Sequence, residues 1–159
     1  MKSITYLKGD ATAPHAAGNK IICHICNDIG GWGKGFVVAI SERWPQPEQA
    51  YREWYRNRDS DDFGLGAVQL LQVEPDNWVA NRIGRQGITG RTEKPIRYES
   101  VEIALERVAD NAAKLSASLH NPRIGCGLAD GTWDPIEPIV MRILRANETN
   151  ACVYDFESR

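Results

Sequence analysis

The chain has 159 residues, of which 42% are hydrophobic and 25% are charged, and its formal net charge at pH 7 is −2. A chain of this size and composition builds one self-sufficient core, so we expect a single domain over residues 1–159. Acidic and basic residues are interleaved without a basic stripe, which argues against general nucleic-acid binding. No apolar run is long enough to span a membrane and the first residues do not resemble an export signal, so we expect no membrane partner and a cytoplasmic location.

The first part of the chain predicts two strands and a helix. Residues 4–8 form a short strand, and residues 20–26 have the continuous apolar character of a buried strand. The glycine-rich loop 30–35 leads from that strand into a predicted helix over 36–43. Pro45 ends this helix, because proline has no amide hydrogen to donate to it.

The same alternation of strand and helix patterns continues to the end of the chain, which predicts an α/β fold with helices covering a sheet. The clearest helix, over 98–114, carries an apolar stripe of Val101, Leu105, Val108 and Ala112. In chain order we predict a helix over 47–56, a hairpin of strands 67–73 and 78–83, the helix 98–114, a strand within 115–124, a helix over 135–146 and a strand over 151–156.

The four cysteines, Cys23, Cys26, Cys126 and Cys152, are expected to be free thiols, since no export signal points to an oxidising compartment. Cys23 and Cys26 have the spacing of a redox pair or half of a zinc site. On a strand, however, residues three apart point to opposite faces, so the two thiols do not converge on one metal. We expect no metal and no cofactor.

Two glycine-rich loops, 30–35 and 125–131, each follow an apolar strand and precede a predicted helix. Glycine lets a phosphate approach the backbone N–H groups, and the positive end of the following helix attracts the anion. Neither loop matches a known nucleotide-binding fingerprint. Either loop alone is an ordinary turn, but the pair at strand ends favours binding of a diphosphate.

Four stretches of the sequence resemble the macrodomain family, and the resemblance covers nearly the whole chain. They are Gly9-Asp10-Ala11-Thr12, His24-Ile25-Cys26-Asn27, Trp32-Gly33-Lys34-Gly35-Phe36 and Pro122-Arg123-Ile124-Gly125-Cys126-Gly127-Leu128 with Trp133 beyond it. The last run resembles the branch with the terminal ADP-ribose protein glycohydrolase, the antitoxin macrodomains that reverse DNA ADP-ribosylation, and the fungal ADP-ribose 1''-phosphate phosphatase. The resemblance implies a three-layer α/β/α sandwich with a mixed central sheet and an ADP-ribose cleft at the strand ends.

The resemblance also implies a role for individual residues. Asp10 accepts a hydrogen bond from the adenine amino group beside the Ala11 N–H, and Phe156 packs on the adenine. Asn27 lies near the distal ribose. The alternatives are that Asp10 is an ordinary turn aspartate, Phe156 a core residue and Asn27 a strand-end cap. The two phosphate-side loops are represented by Gly33, Lys34, Gly35, Gly125, Cys126, Gly127, Leu128 and Ala129.

The catalytic residues of the glycohydrolase are matched only in part. Its lysine has no counterpart in 79–86, and its aspartate position holds Ala129, with Asp130 one residue further on. We therefore expect a water-based hydrolysis with Asp130 or Asp28 as the base and Asn27 positioning the water. An Asp-Gly turn without chemistry is the alternative for Asp130.

Three functions remain open at this point. The first is a hydrolase that removes ADP-ribose from a modified macromolecule, the second is an ADP-ribose 1''-phosphate phosphatase, and the third is a non-catalytic reader of ADP-ribose. Two further side chains have alternatives as well. His24 is predicted as a satisfied core histidine rather than an acid or base. Trp32 and Trp133 either line the cleft or pack in the core.

Overall fold

The computed structural model describes residues 4–14, 16–33, 36–85, 98–122 and 137–155. Strands and helices alternate along these ranges as the hydrophobic pattern predicts. They are β1 (Ile4–Lys8), β2 (Lys20–Asn27), α1 (Phe36–Arg43), α2 (Gln46–Arg56), β3 (Val68–Glu74), β4 (Asn77–Arg85), α3 (Tyr98–Leu115), β5 (Ser118–Pro122), α4 (Glu137–Ala146) and β6 (Ala151–Asp155). Among the described helices, none is long and apolar enough to cross a membrane.

The six described strands form one mixed sheet in the order β1-β6-β5-β2-β4-β3. β3 and β4 pair as the predicted antiparallel hairpin, and the other neighbours are parallel. The carboxyl ends of the five parallel strands therefore lie at one edge of the sheet. In open α/β sheets this is the edge at which ligands bind.

Two apolar clusters cover the two faces of the sheet. The cluster beneath α3 and α4 includes the whole predicted stripe of α3, with every member at most 2% exposed. The second cluster lies beneath α1 and α2. This arrangement confirms the three-layer α/β/α sandwich.

The strand assignment of β2 explains where its two thiols lie. Cys23 packs in the cluster beneath α3 and α4, while Cys26 packs in the cluster beneath α1 and α2. Alternating side chains of a strand face opposite sides of the sheet. The prediction that the two thiols point apart is therefore confirmed.

Candidate functional site

The turn after β1 places Asp10 at the carboxyl edge of the sheet. Asp10 Oδ1 accepts hydrogen bonds from the Thr12 backbone N–H at 2.8 Å and from the Thr12 hydroxyl at 2.7 Å. The Asp10 carbonyl accepts from the Ala13 N–H at 3.0 Å, and Ala11 is buried. Asp10 thus has the ordinary turn bonds. They orient its carboxylate and leave Oδ2 without a hydrogen-bond donor among the described residues.

The side chain of Asn27, at the end of β2, organises the loop that follows it. Asn27 Oδ1 accepts from the backbone N–H groups of Ile29 at 3.1 Å and Gly31 at 2.9 Å. Asn27 Nδ2 donates to the Gly31 carbonyl at 3.1 Å. The Tyr51 hydroxyl of α2 lies 2.8 Å from Asn27 Oδ1 and 2.7 Å from the Asn27 carbonyl oxygen. Asn27 therefore caps the end of β2. Its exposed fraction is 3%, so this cap is buried.

Two glycines of this loop lie where a side chain has no room. Gly30 has a φ of +78°, and a Cβ on it would lie 2.6 Å from Tyr55 Cδ2. A Cβ on Gly31 would lie 2.7 Å from Asn27 Nδ2. Both distances are shorter than any real Cβ contact, so glycine lets Asn27 and Tyr55 hold the backbone at close range.

Trp32, next in the loop, is a packing residue rather than an exposed wall. It is 4% exposed, and its ring centroid lies 5.3 Å from both the His24 and Tyr51 rings. Its indole N–H donates to the Ser41 hydroxyl at 2.7 Å, which satisfies the polar end of a buried tryptophan. Of the two alternatives for Trp32, the structure realises core packing.

Known structures identify the family. A macrodomain protein from Streptomyces coelicolor is 58% identical to this chain and superposes with a TM-score of 0.86. The match covers 96% of this chain and 98% of that protein's chain. The chain belongs to the macrodomain family. A Bacteroides thetaiotaomicron protein of unknown function is 51% identical, with coverage of 97% and 98% and a TM-score of 0.91. Thermosipho africanus DarTG, solved in complex with ADP-ribose, has the same fold at 16% identity, with a TM-score of 0.66 over 87% of this macrodomain and 39% of that chain.

Curated relatives are more distant, and no protein-family model matches the chain. An ADP-ribose 1''-phosphate phosphatase of Meyerozyma guilliermondii is 23% identical over 89% of this macrodomain and 94% of that protein. Chromodomain-helicase-DNA-binding protein 1-like of Danio rerio is 27% identical over 96% of the macrodomain. The macrodomain spans only 15% of that protein's length and 18% of its Mus musculus counterpart.

Buried polar side chains lie on both faces of the macrodomain sheet, and their hydrogen-bond partners were not apparent from the sequence. His24 is a satisfied core histidine as predicted, since its Nε2 lies 2.5 Å from Asn81 Oδ1. Arg82 is 1% exposed; it donates through Nε to the His24 carbonyl at 3.3 Å and through Nη2 to Asn121 Oδ1 at 3.4 Å. Its Nη1 has no hydrogen-bond partner among the residues that the structure describes. Burial lowers the pKa of Arg82.

The three described cysteines are free thiols, as expected. Burial raises the pKa of Cys23 to about 11, so this thiol is neutral and unreactive near neutral pH. Within the described ranges, no group of three or more histidine, cysteine or acidic side chains is placed to hold a metal ion.

The remaining predicted site residues divide into two groups. Asp28 is half-buried beside the Asn27 cap, and Gly33 is exposed with open space around its Cα. The others lie outside the described residues: Lys34, Gly35, Gly125, Cys126, Gly127, Leu128, Ala129, Asp130 and Phe156, together with Trp133. Their assignment stays a prediction from the sequence.

Tyr51 contacts the candidate site through Asn27, and we did not identify it from the sequence. The pattern places it on an aromatic face of α2 and so predicts its burial, but it gives no hydrogen-bond partner for its hydroxyl. The available signal was the spacing of Glu48, Tyr51, Arg52 and Tyr55. Positions i, i+3, i+4 and i+7 share one face of a helix, so these side chains are neighbours along α2.

Proposed function

We propose that this macrodomain, a single domain over residues 1–159, binds ADP-ribose at the carboxyl edge of its sheet. The observation that carries the proposal is the placement of the Asp10 turn and the capped loop after Asn27 at the same edge. β1 and β2 are separated by β6 and β5, which puts their ends about 14 Å apart at the usual strand spacing. An elongated dinucleotide-like ligand with a diphosphate in its middle suits two sites at that separation.

At the adenine end, we assign Asp10 as the hydrogen-bond acceptor. Its Oδ1 is held by Thr12, so the carboxylate is oriented before ligand arrives. Its Oδ2 is then the atom that accepts from the adenine amino group, next to the Ala11 N–H. Phe156 supplies the surface on which adenine packs in this proposal.

At the distal end, the capped loop continues through Gly33, Lys34 and Gly35 and supplies backbone N–H groups to phosphate and ribose oxygens. The second loop, Gly125, Cys126, Gly127, Leu128 and Ala129, acts from the other side. Asn27 Nδ2 donates one hydrogen to Gly31, and we find no second acceptor for it among the described residues. That second hydrogen is the one we assign to water or ribose.

Calorimetry with ADP-ribose tests the binding proposal. We expect a dissociation constant in the micromolar range, roughly −7 to −8 kcal/mol. Asp10→Ala is expected to weaken binding by about 1–3 kcal/mol, because it leaves an adenine donor unpaired. Asp59→Ala, at an exposed aspartate of the loop after α2, is the matched control. A folded protein that does not bind ADP-ribose at millimolar concentration contradicts the proposal.

For the reaction, we propose hydrolysis that releases ADP-ribose from a modified macromolecule. Asp130 or Asp28 is the general base, and Asn27 positions the attacking water. Asp130→Ala is expected to lower the rate by roughly a hundredfold to ten-thousandfold with nearly unchanged ADP-ribose affinity, because a base acts chiefly in the transition state. Full activity in Asp130→Ala moves the role to Asp28 or to the substrate itself. A trapped covalent lysine adduct overturns the mechanism.

The second candidate is dephosphorylation of ADP-ribose 1''-phosphate, which the likeness to the Meyerozyma guilliermondii phosphatase over 89% of the chain supports. The third is a non-catalytic reader, which the lack of a lysine in 79–86 supports. Incubation with ADP-ribose 1''-phosphate and, separately, with proteins modified at acidic, serine or arginine side chains distinguishes the three. Phosphate released from ADP-ribose 1''-phosphate indicates the phosphatase, ADP-ribose released from a modified protein indicates the hydrolase, and binding without any product indicates the reader. Cytoplasmic location stays a prediction.

A further inference from the structure

One stripe of α2 contacts Asn27, at the end of β2, and Gly30 in the loop that follows. Glu48, Tyr51, Arg52 and Tyr55 follow the i, i+3, i+4, i+7 spacing of one helix face. Tyr51 contacts Asn27 through its hydroxyl, and the ring of Tyr55 lies under Gly30. Arg52 Nη1 donates to the Gly30 carbonyl at 3.3 Å. Side chains of a single helix therefore hold Asn27 and the backbone at Gly30.

A chain of hydrogen bonds links Trp32, further along the loop, to the same helix. The Trp32 indole N–H donates to the Ser41 hydroxyl at 2.7 Å, and that hydroxyl donates to Glu48 Oε1 at 2.9 Å. Arg52 Nε donates to the other oxygen, Glu48 Oε2, at 2.9 Å. The hydrogen bonds from Arg52 and Ser41 lower the pKa of Glu48. The carboxylate therefore stays ionised and keeps both of these donors.

The link between Tyr51 and Asn27 is the buried part of this network. Tyr51 is 0% exposed, so no bulk water replaces its hydroxyl if the hydroxyl is removed. Asn27 Oδ1 accepts hydrogen bonds from the backbone N–H groups of Ile29 and Gly31. By holding Asn27 in place, Tyr51 therefore fixes the direction of the Ile29 and Gly31 backbone N–H groups.

We infer that Tyr51 is a positioning residue that acts through Asn27 and holds the loop after β2, from Ile29 to Gly31, in its ligand-binding shape. The inference rests on the proposed function, because it assigns that loop to the distal half of ADP-ribose. A loop held before the ligand arrives loses little conformational entropy on binding, which strengthens binding without any new contact to the ligand. An Asn27 side chain that is already fixed likewise loses little conformational entropy when it orients a water molecule.

The test compares Tyr51→Phe with Tyr154→Phe. The Tyr154 hydroxyl lies 2.8 Å from His120 Nδ1, so this control also removes the hydroxyl of a buried tyrosine, but on β6 and away from the loop. In Tyr51→Phe without ligand, we expect the Ile29 and Gly31 amides to exchange with deuterium roughly tenfold faster. ADP-ribose affinity should fall about three- to tenfold, while AMP, which lacks the distal half, should bind within twofold of wild type.

The outcomes separate this inference from the proposed function. If wild type binds ADP-ribose but Tyr51→Phe matches Tyr154→Phe in exchange and affinity, the positioning role is wrong. If wild type does not bind ADP-ribose, the proposed function is wrong, and the exchange rates alone decide whether Tyr51 holds the loop. Should Tyr51→Phe not fold, the wild-type exchange rates of the Ile29 and Gly31 amides decide the question. Exchange roughly tenfold slower than that of the Asp59 amide in the exposed loop after α2 supports a loop that is held before ligand binds, and exchange as fast as that of Asp59 overturns the inference.

Discussion

Substitution of Gly30 by alanine probes the close approach on which the capped loop depends. The φ of +78° costs a residue with a Cβ roughly 1–2 kcal/mol. The new Cβ would also lie 2.6 to 2.9 Å from three atoms of the Tyr55 side chain, including Cγ near its base. That ring is held by Phe63 at a centroid distance of 5.2 Å and by Arg58 at 4.1 Å, so it does not swing aside freely. Overpacking of this kind typically costs about 1–3 kcal/mol.

The two costs lead us to expect that Gly30→Ala lowers the free energy of unfolding by about 2–4 kcal/mol, after a gain of about 0.4–1 kcal/mol from the stiffer unfolded chain. For a chain of this size, the melting temperature falls by roughly 5–15 °C. Urea unfolding followed by tryptophan fluorescence measures the change. Gly33→Ala is the matched control, because a Cβ there meets no atom within 4 Å. We expect its effect to stay within about 0.5 kcal/mol.

A double variant separates the steric cost from the backbone cost. Tyr55→Ala removes the ring that the new Cβ meets but leaves the φ of Gly30 unchanged. The loss caused by Gly30→Ala should therefore be smaller in the Tyr55→Ala background, by the overpacking part of about 1–3 kcal/mol. Equal losses in Gly30→Ala and Gly33→Ala would refute the reasoning, and a loss that Tyr55→Ala does not reduce would refute its steric half.

Two further predictions follow from perturbed pKa values. Burial lowers the pKa of His120 from 6.5 to about 4, so the unfolded chain binds more protons between these values, and stability falls as the pH falls from 6.5 to 4. This group accounts for at most about 3 kcal/mol of the loss, and urea unfolding at both ends of that range should show a smaller loss in His120→Gln. Iodoacetamide labelling with mass spectrometry should modify Cys152, which is half-buried, well before Cys23, whose pKa is raised to about 11 and which is fully buried. Equal labelling of the two would contradict the burial argument.

The fold could be predicted from the sequence because its elements differ in hydrophobic period. The stripe from Val101 to Ala112 has the spacing of a helix, and all its members lie in the core. The opposite faces of Cys23 and Cys26 follow from strand geometry alone. Element ends were less exact: β4 (Asn77–Arg85) runs past the predicted end at Ile83, because its neighbour β2 continues the pairing. Pairing between distant strands leaves no local pattern.

The candidate site could be predicted only as a set of residues. The resemblance to macrodomains drew attention to Asp10 and Asn27, but not to what holds them. Tyr51 lies 24 positions from Asn27, and Arg82 lies 39 positions from Asn121. A periodic pattern predicts that such side chains are buried, but burial alone does not name the partner of a hydroxyl or a guanidinium. Those partners depend on the order of strands in the sheet and on the packing of α2 against it.

The hydrogen bonds of Asn27 bear on both of its interpretations, as a strand-end cap and as a ligand-positioning residue. A strand-end cap and a ligand-positioning residue are the alternatives for Asn27, and the contacts that make it a cap are compatible with the proposed positioning role. Oδ1 is occupied by the loop amides and by Tyr51, which makes Asn27 structural. Because those bonds fix the amide plane, the second hydrogen of Nδ2 has one direction in which to point, and a polar group is useful to a ligand only when its direction is fixed beforehand. Any effect of Asn27 on turnover should therefore depend on Tyr51, so the double variant Asn27→Ala with Tyr51→Phe should be no slower than Asn27→Ala alone.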